Sequence, residues 1–485
     1  MPGFDAPLPA GHFIAGRTVT APAEIDVFSP STGQRIGAIP RADAALVDEA
    51  VQAARAAREA SNWGGIAPRE RVRAMHAWAD LIEAEADHLA YLEAICSSRP
   101  LAQAKTGDVM VTAEQIRFFA EFADKEGGDL VPTADSAFGF IADEPYGVIG
   151  AITPWNFPMS MAGWKLGPAL AAGNAVVLKP SEMTPYSTLY MAELSVRAGI
   201  PAGLINIVLG DGPTTGTAIT GHPQIDKVSF TGSTRAGAAI MENIARTGIK
   251  PMTLELGGKS PMVVFADADL DLAAECLDRG IMPNAGQFCV AGSRILVEES
   301  IAGPLAERLA ARFAKYRPED TLAPEAGFSP IISAGQLQRI DGIVQAAVGQ
   351  GAELLCGGAA FDREGSFYQP TLITNVTQDS PAVTQEIFGP VATFQTFKDG
   401  DEDEAMALAA HQTYGLAAGL FTRDLSRALR LTRRLEAGTV WVNRYGRTRD
   451  HILPTGGWKA SGLGKDLGRE AFLANRRTKS VLIDL

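Results

Sequence analysis

The chain reads as an α/β protein of more than one domain, and three features carry that reading. Its 485 residues exceed what one hydrophobic core normally organises, so two or three domains are expected. Short apolar runs at residues 148–152, 175–178, 205–209 and 228–230 alternate with helical stretches, and a second series follows at 261–265, 294–297, 417–421 and 439–443. Runs apolar on both faces are what parallel strands covered by crossover helices require. No period of repeat-protein length interrupts this rhythm.

Before the first strand series, Ala, Leu, Glu and Arg recur at helical spacing over residues 44–60 and 70–95, and Asn62-Trp-Gly-Gly65 separates the two predicted helices. A polar, glycine-containing stretch at 127–136 leads into a strand at 138–142, outside the main core. The break at 255–260 between the two series marks an interdomain seam. The apolar C-terminal segment 480–485 would be an unpaired edge by itself, so it is expected to pair with another subunit, closure of its own sheet being the alternative.

A formal charge of −13 argues against a dedicated nucleic-acid binder, which needs a clustered basic surface. The start, Met1-Pro-Gly-Phe-Asp-Ala-Pro-Leu-Pro, lacks a basic stretch followed by an apolar run, and no later segment is long and apolar enough to span a bilayer; a soluble, cytoplasmic chain is expected. Cys96, Cys276, Cys289 and Cys356 show no Cys-x-x-Cys spacing, and the six histidines form no His-Glu-x-x-His pattern. Neither a disulfide framework nor a metal centre is indicated. Gly462-Leu-Gly464 with Gly468 has the wrong offset for a dinucleotide fingerprint. Gly258-Lys-Ser260 fails as a phosphate loop because Thr253 stands where the first glycine belongs.

Three segments point to chemistry at a carbonyl carbon. Asn284-Ala-Gly-Gln-Phe-Cys289 supplies a nucleophile, Glu255-Leu-Gly-Gly-Lys259 a base, and Thr153-Pro-Trp-Asn-Phe-Pro158 an amide donor. Each sits in Gly- or Pro-rich sequence, where irregular backbone aims side chains at a cleft. A buried inert thiol is the plainer reading for Cys96, Cys276 and Cys356. Gly232 and Ser233 follow the 228–230 strand at a helix start, where free N–H groups suit a pyrophosphate, although a simple capped helix explains them too.

Together with Lys179-Pro-Ser-Glu182, Phe230-Thr-Gly-Ser-Thr234 and Glu386-Ile-Phe-Gly-Pro390, these motifs make the chain resemble the NAD(P)-dependent aldehyde dehydrogenase superfamily over nearly its whole length. The resemblance implies an α/β fold with a Rossmann-like NAD-binding domain (1–124 and 146–256), an αβ catalytic domain (257–465) and a small β oligomerisation arm (125–145 and 466–485). A homodimer or homotetramer follows. It also implies that Cys289 attacks the aldehyde, that Asn156 and the Cys289 N–H hold the resulting oxyanion, and that Glu255 activates water against the thioester. Superfamily enzymes that pass the acyl group to coenzyme A generally lack that glutamate, so water is the expected acceptor; coenzyme A acylation and a non-catalytic protein of the same fold are the alternatives.

For the cofactor, the resemblance puts Lys179 and Glu182 at the adenine ribose. A carboxylate there favours NAD over NADP, because a 2′-phosphate would meet like charge. Ile152 and Trp155 are placed beside the cofactor, Glu386 and Phe388 at the nicotinamide ribose and ring, and Trp164 at the aldehyde channel. Read without the resemblance, Glu386 is a loop carboxylate and Phe388, Trp155 and Trp164 are packing residues. The loop Arg444-Tyr-Gly-Arg-Thr-Arg-Asp-His451 falls at the substrate entrance. There Arg444, Arg447 and Arg449 can hold the anionic tail of a polar or acidic aldehyde, or instead pair with Asp450 or a neighbouring subunit. Asp466 stands where many relatives carry glutamate, and one methylene less weakens any proton relay through it.

Overall fold

The structure, a computed structural model, describes residues 8–446 and 451–485. Its larger sheet runs in the order Arg17–Val19, His12–Ile14, Ile205–Ile207, Ala175–Lys179, Val148–Ile152, Lys227–Thr231, Met252–Glu255, Gly462–Leu463. The five strands from Ile205–Ile207 to Met252–Glu255 are mutually parallel, and antiparallel strands flank them on both sides. Val148–Ile152, Ala175–Lys179 and Lys227–Thr231 are buried at every position, the pattern of strands covered on both faces. The helix Pro158–Ala171 on this sheet is likewise buried at every residue, as an all-round apolar helix must be.

The second sheet runs Glu353–Cys356, Thr371–Thr374, Val391–Phe397, Arg294–Glu298, Pro261–Val264, Ala417–Phe421, Thr439–Val442, parallel except at its first edge. The two sheets meet in sequence at residues 255–261, where the last parallel strand of one ends and a central strand of the other begins. Gly462–Leu463, expected with the second unit, instead bonds to Met252–Glu255 in the first sheet, with Leu254 opposite Leu463 and the Leu256 N–H donating to the Ser461 carbonyl (2.9 Å).

Other differences from expectation have physical causes. Residues 70–95 form two helices, Pro68–Ala84 and Ala86–Cys96, because Glu85 leaves helical geometry (φ −98°, ψ 21°) although no Gly or Pro marks the break. The N-terminal strands His12–Ile14 and Arg17–Val19 gave no sequence signal, being three residues each and, in the outer one, mostly exposed. Val391–Phe397 was also not anticipated, although its Val, Thr and Phe content suits a strand, and six of its seven residues are buried.

A third, antiparallel sheet joins Asp129–Val131, Ala137–Pro145 and Arg476–Asp484. Its long register runs from Arg476 opposite Pro145 to Asp484 opposite Ala137, so the C-terminal strand pairs within its own chain. This sheet carries exposed Leu130, Phe138, Leu482, Ile483 and Leu485. Among the described residues, no helix is long and apolar enough to cross a membrane.

One buried ion pair ties the C-terminal region to the first sheet's helical layer. Lys165 Nζ, on Pro158–Ala171, lies 2.6 Å from Asp466 Oδ2, with both side chains out of solvent. Lys227 is buried close by. Burial lowers its pKa to about 7, opposed by the attraction of Asp466 and reinforced by repulsion from Lys165. Asp466 is thus the carboxylate that faces two buried amines. Asp466→Asn is expected to cost roughly 3–5 kcal/mol of stability, the usual result of orphaning a buried charge, read as a lower urea midpoint. An unchanged midpoint would refute this account of the pair.

Candidate active site

Parallel α/β sheets bind ligands beyond the carboxyl ends of their strands, at the point where strand order reverses. In the first sheet that point lies between Val148–Ile152 and Lys227–Thr231. The carboxyl ends of four neighbouring strands put Ile152, Lys179, Gly232 and Glu255 along one edge. The ends are cross-tied, with the Thr153 N–H donating to the Lys179 carbonyl and the Gly232 N–H to the Glu255 carbonyl, both at 3.0 Å.

Cys289 follows an unusual arch. Asn284, Ala285 and Gly286 are all left-handed (φ 50°, 50° and 72°), which costs roughly 1–2 kcal/mol for each non-glycine residue. Gln287, fully buried, clamps the arch. Its Nε2 donates to the Asn284 and Pro330 carbonyls and its Oε1 accepts from the Ile332 N–H, each at 2.9 Å. Asn156 is woven into the same knot, for its Nδ2 donates to the Gln287 carbonyl (2.9 Å) and its own carbonyl accepts from Asn284 Nδ2 (2.9 Å). An amide has two N–H bonds, so one Asn156 donor is held by Gln287 and the other is left to aim elsewhere.

The two glycines after Glu255 explain how the base loop reaches this arch. A Cβ on Gly258 would lie 2.5 Å from the Cys289 carbonyl oxygen, and one on Gly257 would lie 2.5 Å from Glu386 Oε2. Only bare backbone fits between the two loops. Glu386 is tied to the same turn by the Gly258 N–H, which donates to its Oε1 (2.9 Å). Burial raises the Glu386 pKa to about 7, against the pull of that N–H, Arg339 and Lys259. Lys259 is buried without a hydrogen-bond partner for its Nζ among the described residues. Burial and the nearby Arg294 hold its amine well below the usual lysine range.

Along the strand-end crevice, Lys179 Nζ contacts Glu182 Oε2 (3.1 Å) and the Pro180 carbonyl (3.0 Å), so the two expected ribose residues are paired with each other. Ser233 caps the helix Thr234–Thr247 by accepting from the Ala236 N–H (3.2 Å). Phe388 is left-handed (φ 57°), a strained conformation for a bulky residue, and its ring meets Trp155 edge-on at 5.3 Å. The strained segment is held from the helix Ala334–Gly349. Arg339 donates to the Glu386 and Ile387 carbonyls (2.5 and 2.9 Å), and Gln336 donates to that of Phe388 (3.3 Å).

Trp164 is buried on Pro158–Ala171. With its amide oxygen turned toward that helix, Gln115 accepts from Trp164 Nε1 (2.7 Å) and Ser160 Oγ (3.2 Å). Arg444 is exposed, whereas Arg447 and Arg449 lie outside the described residues. Sequence reasoning missed Gln287, Arg339 and Gln336. Gln287 stood inside the quoted motif; the other two lie in an ordinary helix and carried no signal. Burial raises the pKa of each of the other three cysteines.

A thiol, a carboxyl group and a side-chain amide on interlocked loops, beside a strand-end crevice, form a candidate site whose groups suit nucleophilic chemistry beside a bound cofactor. The model of the aldehyde dehydrogenase family matches residues 18–481. Aldehyde dehydrogenase 1A1 of Gallus gallus is 44% identical over 463 residues, covering 95% of this chain and 90% of that protein. Retinaldehyde dehydrogenase 3 of Rattus norvegicus is 43% identical, covering 94% and 89%. Among solved structures, an NAD+ complex of an aldehyde dehydrogenase from Bacillus cereus superposes with a TM-score of 0.95 at 38% identity, over 98% of this chain and 96% of that one. An indole-3-acetaldehyde dehydrogenase from P. syringae, in complex with NAD+ and IAA, superposes at 0.96 with 36% identity, over 99% and 98%. The chain belongs to the aldehyde dehydrogenase family and is an oxidoreductase.

Proposed function

We propose that this enzyme oxidises an aldehyde to a carboxylate with NAD as hydride acceptor and water as acyl acceptor, Cys289, Glu255 and Asn156 being the catalytic residues. The observation that carries the assignment is the knot around Cys289. Asn156 is bonded into the arch that presents the cysteine, and Gly258, three residues after Glu255, packs on the cysteine's own carbonyl. The Cys289 thiolate adds to the aldehyde carbon, and the oxyanion is met by the second Asn156 N–H and the Cys289 N–H. Bound NAD supplies a two-electron acceptor for the hydride leaving that carbon. Glu255 then takes a proton from water as the water attacks the thioester, which expels the Cys289 thiolate and releases the acid as its carboxylate.

The crevice suits a dinucleotide. Lys179 and Glu182 present a cation and a carboxylate at a ribose position, and Gly232 and Ser233 open a fourteen-residue helix whose N-terminus suits a pyrophosphate. Glu182 favours NAD over NADP. Ile152, Trp155, Glu386 and Phe388 complete the cofactor site, the last two at the nicotinamide end. We assign the sheet of Asp129–Val131, Ala137–Pro145 and Arg476–Asp484 to a homodimer or homotetramer interface, because its exposed apolar side chains need cover.

Three outcomes test these assignments. Glu255→Gln should release a burst of NADH near one equivalent and then turn over slowly, while Cys289→Ala gives no burst; a glutamine variant that turns over like wild type would assign the base elsewhere. Because the Glu386 carboxyl is protonated below about pH 7 and ionised above it, NAD should bind more weakly as pH falls, by up to about tenfold per pH unit. Titration calorimetry should find that slope flattened in Glu386→Gln. Light scattering should give the mass of a dimer or tetramer, and Leu482→Asp should lower it; a monomeric wild type would discard the interface.

A further inference from the structure

Tyr445 lies in the loop after Thr439–Val442, buried, with its ring edge-on to Trp441 at 4.8 Å. Two glycines make room for it. A Cβ on Gly280 would lie 3.0 Å from its ring, and one on Gly419 would lie 2.6 Å away. The loop is anchored where it starts, because Asn443 exchanges two hydrogen bonds with Thr422, accepting from its N–H (3.0 Å) and donating to its carbonyl (2.9 Å). So constrained, the Tyr445 hydroxyl donates to the carbonyl of Val290, the residue after the nucleophile, at 2.8 Å.

That bond is the first link of a chain. The Val290 carbonyl shares a peptide unit with the Ala291 N–H, which donates to the Phe288 carbonyl at 3.0 Å. The Phe288 carbonyl in turn shares a peptide unit with the Cys289 N–H. Every peptide here is trans, so each N–H points opposite to its carbonyl. Polarisation runs one way: from the Tyr445 O–H through two peptide units to the Cys289 N–H. Hydrogen bonds in series strengthen one another, by perhaps 10–30% per bond, and a buried chain also fixes direction.

We propose that Tyr445 is a positioning residue for the reaction, orienting and polarising the Cys289 N–H that receives the oxyanion without touching substrate. The inference rests on the reading of Cys289 as nucleophile and of its N–H as an oxyanion donor. Removing an oxyanion donor outright costs about 10²–10³-fold in rate, so loosening one should cost less, on the order of tenfold.

Tyr445→Phe deletes only the hydroxyl. The NADH burst rate should fall by about tenfold, with the KM for NAD within twofold of wild type, since the dinucleotide crevice is untouched. Alkylation of Cys289 by iodoacetamide builds no oxyanion, so at a pH where the thiol is fully ionised its limiting rate should stay unchanged. A wild-type burst rate overturns the proposal, and so does alkylation slowed in proportion to the burst, which would mean that the loop had simply collapsed. If the phenylalanine variant does not fold, 3-fluorotyrosine placed at 445 keeps the ring and makes the hydroxyl a stronger donor; the burst should then quicken, and an unchanged or slower burst overturns the proposal. Cys289→Ala runs alongside. NADH formation by that variant would remove the underlying assignment, whereas a silent Cys289→Ala with a normal Tyr445→Phe removes only the role of Tyr445.

Discussion

The contact between the Gly258 backbone and the Cys289 carbonyl is the constraint on which the rest of the site depends. One loop leaves the first sheet at Glu255 and the other is packed on the second, so their approach is also the approach of the two sheets. Any side chain at 258 would hold them apart by more than the tolerance of bond-making chemistry. The same turn binds Glu386 through its N–H, which brings a third loop to the same place. A short run of bare backbone thus sets the relation between the Glu255 loop, the Cys289 loop and the proposed nicotinamide end of the crevice.

Buried charge is handled differently on the two sides of that contact. Behind the first sheet, Lys165 and Lys227 share Asp466. In the second, Arg294 is buried and donates to four backbone carbonyls, those of Lys259, Leu408, Ala409 and Ala410. Its charge then weighs on Lys259, whose attraction to Glu386 is the main compensation. Carbonyl partners fix a guanidinium in direction without neutralising it, whereas a carboxylate does both. Asp466 was considered from sequence only as a shortened relay; in the structure it is first a structural counter-ion.

Much of the fold could be read from the chain. Runs such as Val148–Ile152 are apolar at every position because both faces are covered, and the helix at residues 44–60 announces itself by its period; the structure adds the Asp43 cap. Short edge strands could not be read, since His12–Ile14 joins the sheet through a strand almost two hundred residues away and Arg17–Val19 in turn pairs with His12–Ile14. Of the site, Cys289, Glu255 and Asn156 stood out through the Gly- and Pro-rich motifs around them. The residues that hold those three in place did not: Arg339 and Gln336 act on backbone carbonyls from a helix of ordinary composition, and Tyr445 is one aromatic in a loop whose arginines drew attention.

By itself, the sequence determined the fold class and the family, and it singled out the groups proposed to react. These follow from periodicity and from local motifs, which depend on residues adjacent in the chain. Only the tertiary structure decided which side chain Asp466 faces, why residue 258 must be glycine, and how the Tyr445 hydroxyl reaches the backbone at Cys289. Each of these is a distance between segments far apart in sequence, set by how two sheets pack, and no local pattern encodes it.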